Sequence, residues 1–190
     1  TEKSLSGLDV GTISVKAVEL AGRDGAYTIK SAAKVDVDLD GDNGTDNTIK
    51  AIGKCVQECG FSSNFVVCAV NATEAAVRNF ELDPMPLEEA NYAVLVEAEH
   101  VSPTDMDKTI VDFQFFTPFS EGEKLKGVLV AAKAEAVREK CRIVQCASLL
   151  PVLMDVDTLA LINCFSEFDE KESNKNKAVV QVNNECTNLA

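Results

Sequence analysis

Gly7-Leu8-Asp9-Val10-Gly11-Thr12-Ile13-Ser14-Val15-Lys16 reads as a strand, a tight glycine turn and a returning strand. The apolar strand delivers a carboxylate at Asp9, the turn offers hydroxyls at Thr12 and Ser14, and the return brings an ammonium at Lys16. Groups in that order suit a phosphate tail and its metal ion. Backbone N–H groups in a glycine turn can face phosphate oxygens with no side chain in the way. Lys16 can supply compensating charge, and Asp9 can hold Mg2+ through its water shell, because that ion keeps several of its waters. The candidate phosphate site is therefore Asp9, Gly11, Thr12, Ile13, Ser14 and Lys16, with Asp9 on the metal side. A plain β-hairpin that happens to carry Asp and Lys has the same local pattern, so the rest of the chain has to choose between them.

The composition narrows the choice. The 190 residues suffice for one substantial core or two small domains. Eighteen basic and 31 acidic residues give a net charge of −13. Such a surface repels nucleic-acid phosphates and anionic lipid. A nucleotide bound by so acidic a chain needs local help from a metal or from backbone N–H groups, which the hairpin offers. The seven cysteines (Cys55, Cys59, Cys68, Cys141, Cys146, Cys164 and Cys186) are odd in number and contain no CxxC pair. They read as reduced cysteines, most of them on buried apolar faces, rather than as a disulfide framework or a zinc site. No run approaches the ~20 apolar residues of a spanning helix, and Thr-Glu-Lys-Ser at the start is no signal peptide. These features predict a cytoplasmic protein without direct membrane insertion, whose membrane association comes through a partner.

Outward from the hairpin, residues 5–10, 14–20 and 26–37 read as an antiparallel meander of three strands. An acidic glycine-rich loop over 38–47 leads to a helix over 48–59, where Ile49, Ile52, Val56 and Cys59 recur at helical spacing and Gly60 is a natural stop. The apolar run 65–70 suits a buried strand, parallel to its neighbours. Next comes strand 75–82, the break Pro84-Met85-Pro86, helix 87–99, strands 109–116 and 125–132 around the loop 118–124, and helix 133–147. Those pieces form a small α+β module inserted into the first fold. Strand 152–156, helix 157–168, a charged linker over 166–177 and strand 178–182 follow. The chain stops at Ala190 as another β-turn-β begins, which predicts the front part of a longer protein.

Four other features imitate sites. Asp36-x-Asp38-x-Asp40-Gly41 matches the first half of an EF-hand loop, but its twelfth position is Asn47 instead of the bidentate Glu, and strand rather than helix precedes it. An acidic surface loop is the better reading. The single histidine, His100, lies at a helix end, where a solvated imidazole is favoured by the dipole. Glu97 and Glu99 are two apart on a helix and point different ways, so they make a poor acid/base pair. Asp155 and Asp157 flank a strand end before a helix; Asp157 is most simply a helix cap, placed where α/β folds also open their binding sites.

In this order the parts resemble the α/β, actin-like (ribonuclease H-like) ATPase fold, and within it the PilM family of type IV pilus assembly proteins. The resemblance rests on residues 7–20, on Val77-Arg78-Asn79-Phe80-Glu81-Leu82 with Pro84-Met85, on Glu97-Ala98-Glu99-His100 with Pro103 and Val111-Asp112-Phe113-Gln114, and on Leu129-Val130-Ala131-Ala132 leading to Asp155-Val156-Asp157 and Leu159-Ala160-Leu161. It implies a first actin-like subdomain over 1–74 and 149–176, an inserted α+β module over 75–148, and the start of a second lobe over 177–190. It further implies ATP and Mg2+ as ligands, a PilN-like membrane protein's N-terminal peptide and other pilus assembly proteins as partners, and a cytoplasmic place beside the inner membrane. The secretion protein GspL and the division protein FtsA share this architecture and are the neighbouring alternatives. An active ATPase or sugar kinase of the same superfamily is the enzymatic alternative, but a kinase needs a carboxylate base for its acceptor hydroxyl and none can be nominated. The second phosphate loop departs from the family pattern of Asp-Ile-Gly followed by Thr. Here stand Gln181-Val182-Asn183, with Thr187 kept. An amide replaces a metal-positioning carboxylate, and a side chain replaces the glycine that lets backbone approach phosphate. The resemblance therefore implies at most a weak ATPase.

Overall fold

Alternating apolar and polar residues in the first third of the chain produce the expected meander. The computed structural model describes residues 3–23, 26–40, 44–116, 122–168, 177–182 and 187–189. Strands β1 (Lys3–Val10), β2 (Ser14–Arg23) and β3 (Ala26–Asp36) are followed by helix α1 (Gly44–Cys59) and strand β4 (Phe65–Val70). Then come β5 (Ala75–Leu82), α2 (Leu87–Val101), β6 (Thr109–Phe115), β7 (Leu125–Lys133) and α3 (Ala134–Cys146). The chain continues with β8 (Leu150–Val156), α4 (Asp157–Phe168), β9 (Val180–Val182) and β10 (Thr187–Leu189). It divides into two compact units, Thr1–Val70 with Glu139–Ala190, and Asn71–Arg138.

The first unit is built on a five-stranded sheet of order β3-β2-β1-β4-β8. β1 runs antiparallel to β2 but parallel to β4, and β4 runs parallel to β8. Leu8 faces Ala17 and Val10 faces Val15. All four are buried in one core with Ile52 and Cys55 of α1, Val66 and Cys68 of β4, and Val144 of α3. Ile52, Cys55 and Cys59 lie three and four residues apart, so one helical stripe seats on the sheet. The Cys55 thiol donates to the carbonyls of Val15 and Ala33 at 3.4 and 3.6 Å, and burial pushes its pKa up. Burial likewise drives Cys68 to about 11, so both thiols behave as core groups. Cys146 and Cys164 are exposed, contrary to the general expectation of buried cysteines, while Cys186 lies outside the described residues. Gly60 adopts φ +70° and returns its amide to Val56, ending α1 as expected.

Several boundaries differ from the sequence reading, and two of them have a clear physical cause. α1 begins at Gly44 instead of residue 48, because its first turn is polar and outward-facing and carries no apolar period to detect. β8 begins at Leu150 instead of residue 152. Pro151 sits within this edge strand, opposite Val66 and beside a register shift at Val66/Val67, where a missing N–H is tolerated.

Among the described residues one carboxylate is fully enclosed. Glu19 on β2 has no exposed surface. Its Oε1 accepts from Ser4 at 2.5 Å, Ser62 Oγ at 2.6 Å and Lys30 Nζ at 2.8 Å, and its Oε2 accepts the Ser62 amide at 2.8 Å. Lys30 first, then the two serine hydroxyls, hold its pKa at about 2 against the opposing effect of burial. The group staples β1, β3 and the segment after α1 to β2.

The second unit pairs β5, β7 and β6 in that order, all antiparallel. One sheet face meets α2: Phe80, Leu82, Leu125 and Leu129 pack with Ala90, Val94 and Ala98. Phe80 meets Phe115 edge-to-face at 5.4 Å. At Gly127 in β7, a Cβ would overlap the Gln114 carbonyl oxygen of β6 and the Phe80 ring of β5, so the central strand requires glycine there.

Candidate functional site

The parallel strands β1, β4 and β8 end at Val10, Val70 and Val156. Open α/β sheets bind ligands beyond such carboxyl ends. Val10, Val70 and Val156 are buried, so strand alternation turns the preceding residues Asp9, Ala69 and Asp155 to the opposite sheet face. Asp9 pairs with Lys16 across β1–β2, carboxylate to ammonium at 2.9 Å. Both side chains are more than half exposed, 59% and 52%, so the pair is open to exchange for a ligand's charges. Asp155 accepts the amide of Val156 at 2.7 Å. Asp157 opens α4, where a carboxylate favours the helix dipole.

The turn itself divides its predicted groups. Gly11 donates its amide to the Ser14 carbonyl at 3.1 Å, and a Cβ on Gly11 would press on that same oxygen at 3.0 Å. Ser14 is 6% exposed, so its hydroxyl is turned inward, while Thr12 and Ile13 form the exposed tip. The Ile13 carbonyl accepts the Val37 amide, which fixes the tip to the end of β3. Among the described residues the amides of Thr12 and Ile13 have no acceptor. These two N–H groups, the Thr12 hydroxyl, the Asp9 carboxylate and the Lys16 ammonium fit a phosphate with a hydrated metal. Of the six predicted residues, the structure thus gathers Asp9, Thr12, Ile13 and Lys16 at the surface and uses Gly11 and Ser14 to hold the turn.

A seventh group, missed from sequence, stands beside them. Lys140 on α3 reaches the Val10 carbonyl with its ammonium at 2.8 Å. Burial lowers its pKa, opposed by the charge of Asp9 and of Asp157. The signal was available: Val137, Lys140 and Val144 share one helical stripe, so a lysine occupies an inward-facing position.

The described part of the acidic loop is held by its own hydrogen bonds. Asp38 accepts the Asp40 amide at 3.0 Å, and Asn47 donates its amide to the carbonyls of Asp38 and Asp40 at 3.0 and 3.4 Å. Among the described residues no three potential metal ligands cluster. His100, Glu97 and Glu99 are exposed on α2. Gln181 lies on β9 opposite Asn188 of β10, and Thr187 opposite Val182, while Asn183 falls outside the described residues. Among the described residues no helix is long and apolar enough to cross a membrane.

The family model for type IV pilus assembly protein PilM matches residues 7–190. The chain belongs to the PilM family. Among solved structures, a PilM–PilN type IV pilus biogenesis complex matches with a TM-score of 0.80 at 25% identity, over 97% of this chain and 56% of that one. The cytoplasmic domain of EpsL, an inner-membrane component of the type II secretion system of Vibrio cholerae, matches with a TM-score of 0.57 at 10% identity, over 83% and 59%. The second likeness speaks for fold alone. The chain spans somewhat more than half the length of either structure. No curated protein sequence matches it. The α/β, actin-like fold implied by the resemblance is the fold of this PilM-family chain.

Proposed function

We propose that this PilM-family chain is a cytoplasmic scaffold of type IV pilus assembly that binds the N-terminal peptide of a PilN-like membrane protein. The observation that carries this reading is the family match across 7–190, joined to a structural relative that is itself a PilM–PilN complex. PilN and other pilus assembly proteins bring this acidic chain to the inner membrane. An adaptor of the GspL type, which shares this architecture, is the second reading. A chain serving as scaffold retains a PilN-type peptide through affinity purification; loss of the peptide together with brisk ATP turnover argues for an enzyme instead.

The hairpin supports ATP as ligand in the same reading. Thr12 and Ile13 amides with Lys16 receive phosphate oxygens, and Asp9 holds Mg2+ through water, which neutralises phosphate charge. With Gln181 at the second phosphate motif, hydrolysis is weak and binding is structural. The expected result of a Mg-ATP titration is a saturable signal that Asp9→Asn weakens about tenfold. Indifference to both Asp9→Asn and Lys16→Met would remove nucleotide from the account and leave the docking role intact.

A further inference from the structure

Helix α2 is packed on one side only. Ala90, Val94 and Ala98 are fully buried against the three-stranded sheet. On the opposite side Tyr92 and Val96, one helical turn apart, are 75% and 55% exposed, with Leu95 beside them at 42%. A helix face turned to water is ordinarily polar, whereas this one presents a continuous apolar strip. Glu88, Glu89 and Glu99 border the strip, and α2 contains no lysine or arginine. None of the three forms an ion pair among the described residues, although Glu74 and Glu81 of the same unit each hold lysines.

We infer that the outward face of α2 docks a cationic amphipathic segment of a partner protein. The partner's apolar side covers Tyr92, Leu95 and Val96, and its lysines or arginines meet Glu88, Glu89 and Glu99. The charge pattern selects this occupant. A second copy would bring the same carboxylates against its own, and a chain of net charge −13 repels nucleic acid and anionic lipid. Apolar anchors at helical spacing with a charged border are the usual means of recognising an amphipathic segment. The surface is independent of nucleotide and adds a docking face to the scaffold.

The chain has two tyrosines and no tryptophan, so Tyr27→Phe leaves Tyr92 as the only strong intrinsic fluorophore. The probe is a synthetic helix of about 15 residues, roughly four turns, made of leucine and lysine at amphipathic spacing. At about 0.15 M salt, where distant charges are screened, the peptide should bind and shield Tyr92 from acrylamide quenching. Its glutamate counterpart should not bind. In the full chain with native Tyr27, Tyr92→Ser with Val96→Ser should weaken binding about tenfold, while Ile110→Ser on β6 leaves it unchanged. Circular dichroism should show both variants folded, since the altered side chains are exposed. The proposal is overturned if the peptide fails to bind, if it binds without shielding Tyr92, or if the double variant binds equally well. Shielding of Tyr92 by rising protein concentration alone would assign the face to a second copy instead.

Discussion

Glu19→Ala should destabilise the chain by about 1–3 kcal/mol, the cost of taking a hydrogen-bonded carboxylate away from its donors. Four donor groups on three residues lose their acceptor at once: the Ser4 hydroxyl, the Ser62 hydroxyl and amide, and the Lys30 ammonium. Lys30 is half exposed, and Ser4 and Ser62 are exposed residues, so all three recover part of their solvation. Glu19→Gln tests the charge separately, since it keeps the volume and one acceptor. The folded carboxylate titrates at about 2, below its ordinary 4.5. Its stabilisation is therefore fully present above about pH 4.5 and is lost as pH falls towards 2. Urea melts from pH 7 to 3 should show the wild-type chain losing more stability than Glu19→Gln across that window. Equal slopes would mean that Glu19 is not held ionised by its neighbours.

Gly127→Ala should destabilise the chain by about 3 kcal/mol, near the upper end for overpacking by a single methyl group. The added Cβ meets the Gln114 carbonyl oxygen and the Phe80 ring from the two flanking strands. The ring could turn, at the expense of its contact with Phe115. The carbonyl belongs to the β6–β7 ladder and can move only by opening it. Denaturant melts monitored in the second unit should show this loss. A change below about 0.5 kcal/mol, typical of a tolerant surface site, would show that β7 accommodates the methyl group by sliding.

Local pattern and tertiary contact divide what could be read from sequence. Alternation in Leu8, Val10, Val15 and Ala17 was enough for the hairpin and its buried face. The 3.6-residue recurrence of Ile52, Val56 and Cys59 was enough for α1. Helix ends and edge strands were less readable, since the polar first turn of α1 and Pro151 in β8 satisfy backbone geometry without contributing to a period. Glu19 continues the buried alternation of Val15 and Ala17, but what makes its burial stable comes from Ser4, Lys30 and Ser62, up to 43 residues away. Lys140 is similar: its place on the inward stripe of α3 was there to be read, while its partner, the Val10 carbonyl, lies 130 residues earlier. Within the phosphate hairpin, residue type alone could not separate Gly11 and Ser14, which close the turn, from Thr12 and Ile13, which stand open at its tip.

Calorimetric titration of the protein with the N-terminal peptide of a PilN-type membrane protein, run beside an ATP-turnover assay, bears most directly on the scaffold reading. One-to-one saturable binding with a Kd of about 1–100 μM, and turnover far below the ~10 s⁻¹ of an ordinary enzyme, is the predicted result. Absence of peptide binding at saturating concentration, with turnover in the enzymatic range, would contradict it.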